Sequence, residues 1–252
     1  MLGAMNPDIR EVHDPDPARQ AANLASAIAA QLAEALSRRA LASLVVSGGH
    51  TPYPMYGQLA QHKLDWSRVL VTLADERWVA IDAADSNERH VRAALLRHEA
   101  ATARFIGLKN GASRPAEGAA AAWAALGPMP RPFDAVVLGM GEDGHVASLF
   151  PGVPELAAGL NPGAPPACIA VQPPSARHAR LSLNLAALLQ SRRIFVQIIG
   201  TLKRRVYEKA RALGPEEDMP IRAILRQNIV PVAVYWCPEA PTQETDGPET
   251  PA

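Results

Sequence analysis

The chain has 252 residues, 48% hydrophobic and 20% charged, with 25 basic side chains balanced by 25 acidic ones. That length supports a buried core without disulfide or metal staples and holds one or two domains. Zero net charge argues against a nucleic-acid binder, which carries a basic excess, and the mixture is not that of a collagen, a coiled coil or a disordered chain.

Met1 to His13 has no basic start followed by an apolar run, so no secretory signal is expected. Asp16-Pro17 supplies an N-cap oxygen and a proline for a first helical turn. Leu24, Ile28, Leu32 and Leu36 then recur every four residues as one helical stripe. The stretch Ala21 to Leu36 is interrupted by Asn23, Ser26, Gln31 and Glu34, too short and too polar to span a bilayer. A cytoplasmic protein is expected.

Six β-prone runs follow in order: Leu44–Val46, Val69–Leu73, Ala135–Leu138, Ile169–Val171, Ile194–Ile199 and Val232–Tyr235. Helical stretches separate them, including Val91–His98, Ala116–Leu126 and Leu202–Leu213. Continuous apolar strands alternating with helices predict a single-domain, Rossmann-like α/β fold, a mostly parallel sheet with helices on both faces. Pro151–Pro174 reads as an irregular connection, and Pro238–Ala252, rich in Pro, Thr and acid, as a disordered tail after a domain spanning 1–237. Cys168 and Cys237 stand far apart with no CxxC pair and read as small apolar residues.

Polar, glycine-rich clusters follow the apolar runs directly, and ligands bind at the carboxyl ends of parallel strands. Ser47-Gly48-Gly49-His50-Thr51-Pro52 leads into a helix-compatible stretch near Tyr53, where backbone N–H groups suit a phosphate; the same loop also reads as a plain turn. Asp75-Glu76-Arg77 sets a guanidinium beside two carboxylates, so that Arg77 either forks onto an oxyanion or fixes the loop. Ser86-Asn87 reads as a cap for the next helix. In Gly139-Met140-Gly141-Glu142-Asp143-Gly144-His145, three glycines clear space around a carboxylate and an imidazole suited to general-base work. Lys203, after Gly200-Thr201, falls on the same predicted ligand side. No second metal-ligand cluster, no G-x-S-x-G elbow and no G-x-x-x-x-G-K-[ST] loop accompanies these residues.

Taken in order, Ser47-Gly48-Gly49-x-Thr51-Pro52, Asp75-Glu76-Arg77, Ser86-Asn87, Gly139-Met140-Gly141-x-Asp143-Gly144-His145-x-Ala147-Ser148-Leu149-Phe150-Pro151 and Gly200-x-x-Lys203 resemble the 6-phosphogluconolactonase family over about residues 10 to 237. The related glucosamine-6-phosphate deaminases resemble the first loop and Asp143-Gly144-His145. They continue with Ala-Phe-Asn-Glu-Pro, which sets their functional glutamate on Phe150, and carry Asp-Glu-Tyr at Asp75-Glu76-Arg77. His50 replaces a serine common in the lactonases, and Ala80 a proline.

The resemblance implies hydrolysis of 6-phospho-D-glucono-1,5-lactone to 6-phospho-D-gluconate, with no cofactor and no metal. A deaminase-like isomerase and a non-catalytic sugar-phosphate binder are the alternatives. His145 would be the general base and Asp143 its orienting carboxylate. The oxyanion would fall to Arg77 or to backbone N–H groups of Gly139–Gly144, Gly141 among them. Substrate binding would involve Ser47, Gly48, Gly49, His50, Thr51, Asp75, Arg77, Lys203 and Arg180. The expected partner is a small sugar-phosphate lactone, with neither nucleic acid nor membrane, acting on a monomer or weak homo-oligomer.

Overall fold

A computed structural model describes residues 9–173 and 176–239; the expected tail lies outside the described residues from position 240 onward. In chain order the elements begin with β1 (Ile9–His13), α1 (Pro17–Arg38), β2 (Ala42–Val46), α2 (Tyr53–Leu59), β3 (Val69–Leu73), β4 (Asp75–Arg77) and α3 (Asn87–Leu95). There follow β5 (Arg104–Ile106), α4 (Pro115–Ala125), β6 (Ala135–Leu138), α5 (Leu156–Gly159), β7 (Cys168–Val171) and β8 (Arg180–Leu183). The last are α6 (Leu185–Leu189), β9 (Ile194–Ile199), α7 (Thr201–Arg211), α8 (Ile221–Arg226) and β10 (Val232–Cys237).

Local chemistry sets the first helix as expected. The Asp16 carboxylate accepts the Arg19 N–H at 2.7 Å, and Pro17 opens the first turn. Leu24, Ile28 and Leu32 are buried along the stripe, whereas Leu36 is only partly covered. This helix packs on β2, β6 and β10.

Seven strands form one parallel sheet in the order β1-β10-β9-β6-β2-β3-β5. All residues of β2, β3 and β6 are buried, as befits central strands covered on both faces. The order reverses between β2 and β6, since β3 and β5 extend to one side and β9, β10 and β1 to the other. Such a reversal leaves a crevice at the strand carboxyl ends, and the loops after β2 and β6 are those beginning at Ser47 and Gly139.

The run Ile169–Val171 does not join this sheet. It lies in β7 of a separate three-stranded antiparallel sheet, ordered β4-β8-β7. Asp75–Arg77 is likewise a strand rather than a loop, tied in because Leu183 donates its N–H to Ala74 O at 2.8 Å just before it. Backbone groups leaving a buried strand need partners, and β8 supplies them. Its register sets Arg77 opposite Arg180 and Asp75 opposite Ser182. The Pro151–Pro174 connection is also less irregular than expected, holding α5 and β7.

Candidate active site

The loops at the reversal enclose a cleft of about 240 Å³. Ser47, Gly48, Gly49 and Thr51 line one wall, Gly139–Gly141 and His145 another, with Asp75, Arg77, Arg180 and Lys203 around them. Residues scattered over more than 150 positions of sequence are thus brought to one crevice.

His145 is fixed on several sides. Its Nδ1 lies 2.6 Å from Asp143 Oδ1, which also accepts the His145 backbone N–H at 3.0 Å. The Asp143 oxygen is the acceptor, so Nδ1 carries the proton and Nε2 is left as the basic nitrogen. Among the described residues Nε2 has no hydrogen-bond partner. Partial burial opposes the Asp143 charge, but the bonds from the His145 ring and backbone outweigh it and hold the carboxyl at about 2. Asp143 itself stands behind the imidazole and does not line the cleft. Gly141 is required here: a Cβ at that position would overlap the His145 ring.

Not every N–H group of the glycine run is free to receive an oxyanion. Gly141 N–H donates to His145 O at 2.9 Å and Gly144 N–H to Gly141 O at 3.2 Å, closing the loop on itself. Those two donors are engaged in shaping the turn that presents His145.

Three cations reach the cleft. Lys203, in the first turn of α7, donates to Met140 O at 2.9 Å, which leaves two of its three donors. Burial lowers its pKa, opposed by the charges of Glu142 and Asp143. Arg77 donates from Nη1 to Asp85 O at 2.8 Å, and its buried Nε has no partner among the described residues. Arg180 lies 3.6 Å from the Asp75 carboxylate, and its Nε is likewise buried and unpartnered among the described residues. Burial lowers the Arg180 pKa, Asp75 opposes that, and the neighbouring Arg77 charge adds to it. Like charges set opposite each other across a strand pair are destabilising, so this register favours an anion in the cleft beside them.

The remaining expected residues divide. Asp75 lines the cleft while Oδ2 accepts the Ser148 hydroxyl at 2.5 Å. Ser47 donates its hydroxyl to Val137 O at 2.9 Å, so that proton is engaged within the protein. Gly48 admits the Asn87 amide, with which a Cβ would overlap, while Asn87 Nδ2 holds Asp75 O at 2.9 Å. His50 does not line the cleft: it is exposed, with its ring edge-on to Tyr53 at 5.4 Å and 6.3 Å from His90. Its place in the chain offered no sign of that outward turn.

Glu76, read as half of a carboxylate pair, turns away from the cleft to the start of α3. It accepts the N–H groups of Arg77 at 2.7 Å and of Asn87 and Glu88 at 2.8 Å, and the Ser86 hydroxyl at 3.2 Å. Burial raises its pKa against the pull of those bonds. Ser86 caps α3 as expected, accepting Arg89 N–H at 3.2 Å. Phe150 went unassigned in the lactonase reading, yet its ring lies 4.2 Å from that of His145. Only the spacing from the histidine hinted at it.

Among the described residues no three His, Cys, Asp or Glu side chains are grouped to hold a metal ion, and no helix is long and apolar enough to cross a membrane. Cys168 and Cys237 are buried free thiols, each pushed up to about 12 by burial.

Known proteins resemble this chain in sequence and fold. The profile described as glucosamine-6-phosphate isomerases/6-phosphogluconolactonase matches residues 15–236. The chain is 44% identical over 221 residues to a 6-phosphogluconolactonase of Pseudomonas aeruginosa, covering 88% of this chain and 92% of that protein. A solved 6-phosphogluconolactonase from Shewanella baltica OS155 aligns with TM-score 0.89 at 45% identity, covering 93% of this chain and 100% of the other. A monomeric glucosamine-6-phosphate deaminase, with TM-score 0.73 at 18% identity over 90% of this chain and 97% of that one, shares the fold. The chain belongs to the glucosamine-6-phosphate isomerase/6-phosphogluconolactonase family.

Proposed function

We propose that this protein hydrolyses 6-phospho-D-glucono-1,5-lactone to 6-phospho-D-gluconate, with His145 as general base. The observation that carries the reading is the Asp143–His145 pair, at 2.6 Å, set with a free Nε2 in a cleft that also holds Arg77, Arg180 and Lys203. Relatives named 6-phosphogluconolactonase, 35% to 44% identical, support the reaction.

Nε2 takes a proton from a water as its oxygen bonds to the lactone carbonyl carbon. The imidazolium that forms is stabilised by Asp143, in the manner of a base oriented by a third group. With the Gly141 and Gly144 N–H groups engaged, Arg77 is the donor we assign to the developing oxyanion. Collapse of the tetrahedral species breaks the bond to the ring oxygen, which recovers the proton from His145. The first glycine loop, Arg180 and Lys203 hold the phosphate.

The test is hydrolysis of freshly generated lactone against a no-enzyme control. His145→Ala should lower kcat by ~10²–10⁴-fold, the usual range for a general base, while keeping affinity for 6-phosphogluconate. Unchanged kcat overturns the role. The reading also implies a small-molecule, cytoplasmic enzyme, in one domain to residue 237 and monomeric or weakly self-associating, which light scattering checks.

A further inference from the structure

We infer that Phe150 is a positioning residue for the reaction, the flat face that fixes the His145 imidazole in its working orientation. The inference rests on the proposed role of His145 as base. Hydrogen bonds alone leave that ring underdetermined. Asp143 holds it at one atom, Nδ1, and with Cβ fixed on the backbone a single bond of this kind still permits the ring to tilt about the line from Cβ to Nδ1. Rotation about that line would carry Nε2 away from a bound lactone.

Two neighbours stop the swing. On one side is Gly141, whose missing side chain is the space the ring occupies. Phe150 makes the second contact, with ring centroids 4.2 Å apart and planes inclined by 34°. That distance is short for an aromatic pair, whose centroids usually stand ~4.5–7 Å apart.

A platform must itself be rigid, and Phe150 is. Only 8% of it is exposed, and it packs within the main hydrophobic cluster. The Arg180 guanidinium carbon lies 5.2 Å from the same ring centroid, within cation–π range. Asp75 holds Arg180 in turn at 3.6 Å, and Ser148, two residues before Phe150, donates to Asp75. The ring therefore contacts both the imidazole and a tethered cation. An aliphatic side chain of similar bulk fills the volume but presents no flat face, so the imidazole gains freedom while the core stays closed.

The test compares Phe150→Leu with Phe150→Tyr. Misplacing a catalytic group by about 1 Å costs up to ~10²-fold, and partial loosening should cost Phe150→Leu about tenfold in kcat. KM for the lactone should stay within about threefold, because Arg180 keeps its tie to Asp75 and neither Lys203 nor the first glycine loop leans on this ring. Phe150→Tyr keeps the face and should restore kcat to within about twofold. A kcat for Phe150→Leu equal to wild type overturns the inference. So does a loss that Phe150→Tyr fails to recover while its thermal transition matches wild type, or a loss that appears only in KM. Failure of the general-base reading is distinct from these results, since it would show as retained turnover in His145→Ala.

Discussion

Replacing Asp143 by Asn separates the charge of the pair from its geometry. The amide oxygen can still accept the His145 N–H groups now met at 2.6 Å and 3.0 Å, so the loop should keep its shape. What is lost is the negative charge beside the imidazolium that forms as water is deprotonated. Hydrogen bonds to charged groups contribute ~1.5–3 kcal/mol, which at ~1.4 kcal/mol per decade is about 10- to 150-fold in kcat. The ground state narrows the range. Depression of the Asp143 carboxyl from 3.8 to about 2 amounts to roughly 2.5 kcal/mol. The side chain is 50% exposed, however, and solvent screening reduces that to about 1 kcal/mol. A kcat loss of about five- to tenfold is therefore expected, measured on freshly generated lactone with the spontaneous rate subtracted. A kcat within twofold of wild type would refute the argument that the pair acts electrostatically. Acid unfolding supplies a second reading. Because the folded carboxyl ionises below the unfolded value of 3.8, its stabilisation is complete above about pH 4 and fades as pH falls toward 2. Asp143→Asn should flatten that segment of the stability curve.

Arg180→Ala and Lys203→Ala should each raise KM for the phosphorylated lactone and narrow its advantage over unphosphorylated gluconolactone, and an unaltered preference removes that residue from phosphate binding. Arg77→Ala, which deletes the assigned oxyanion donor, should instead lower kcat by ~10²–10³-fold, and an unchanged kcat removes it from that role. Gly48→Ala forces a methyl into the Asn87 amide and should cost ~1–3 kcal/mol of stability in urea titration, as overpacking does. It should also raise KM, because the same Asn87 amide holds the Asp75 backbone at the cleft.

Much of this molecule could be read from its residues, for identifiable reasons. The fully apolar runs at residues 69–73 and 135–138 have one stable environment, a sheet covered on both faces, and both lie there. The Asp16-Pro17 cap speaks for itself because its partner lies three residues away. Failures came where a strand's character depends on distant partners. β1, Ile-Arg-Glu-Val-His, carries three polar or charged residues and earns its place by pairing with β10 more than 200 residues later. Ile169–Val171 has the composition of a parallel strand yet pairs antiparallel, since apolar content says nothing of direction. In the site, glycine spacing revealed the loops and the Asp143–His145 pair. It could not reveal that His50 turns outward, beside Tyr53 and the distant His90, or that Glu76 belongs to a helix start, which depends on how the loop between residues 78 and 86 folds back.

That fold-back bears on how this family can diversify. One carboxylate, Glu76, grips the chain at Arg77 and again at Ser86, Asn87 and Glu88, so the intervening segment is closed at its base like a drawstring bag. The clasp keeps Asp75 and Asn87 at their stations on the cleft wall, while the Arg77 guanidinium also leans on the end of the loop through Asp85 O. Ala80 stands where the lactonase resemblance implies a proline, and the clasp holds the ends of the loop without that stiffness. The stretch from residue 78 to 84 is thereby freer to change sequence and length, or to be recruited to screen what enters the cleft, provided that Asp85 O still receives Arg77.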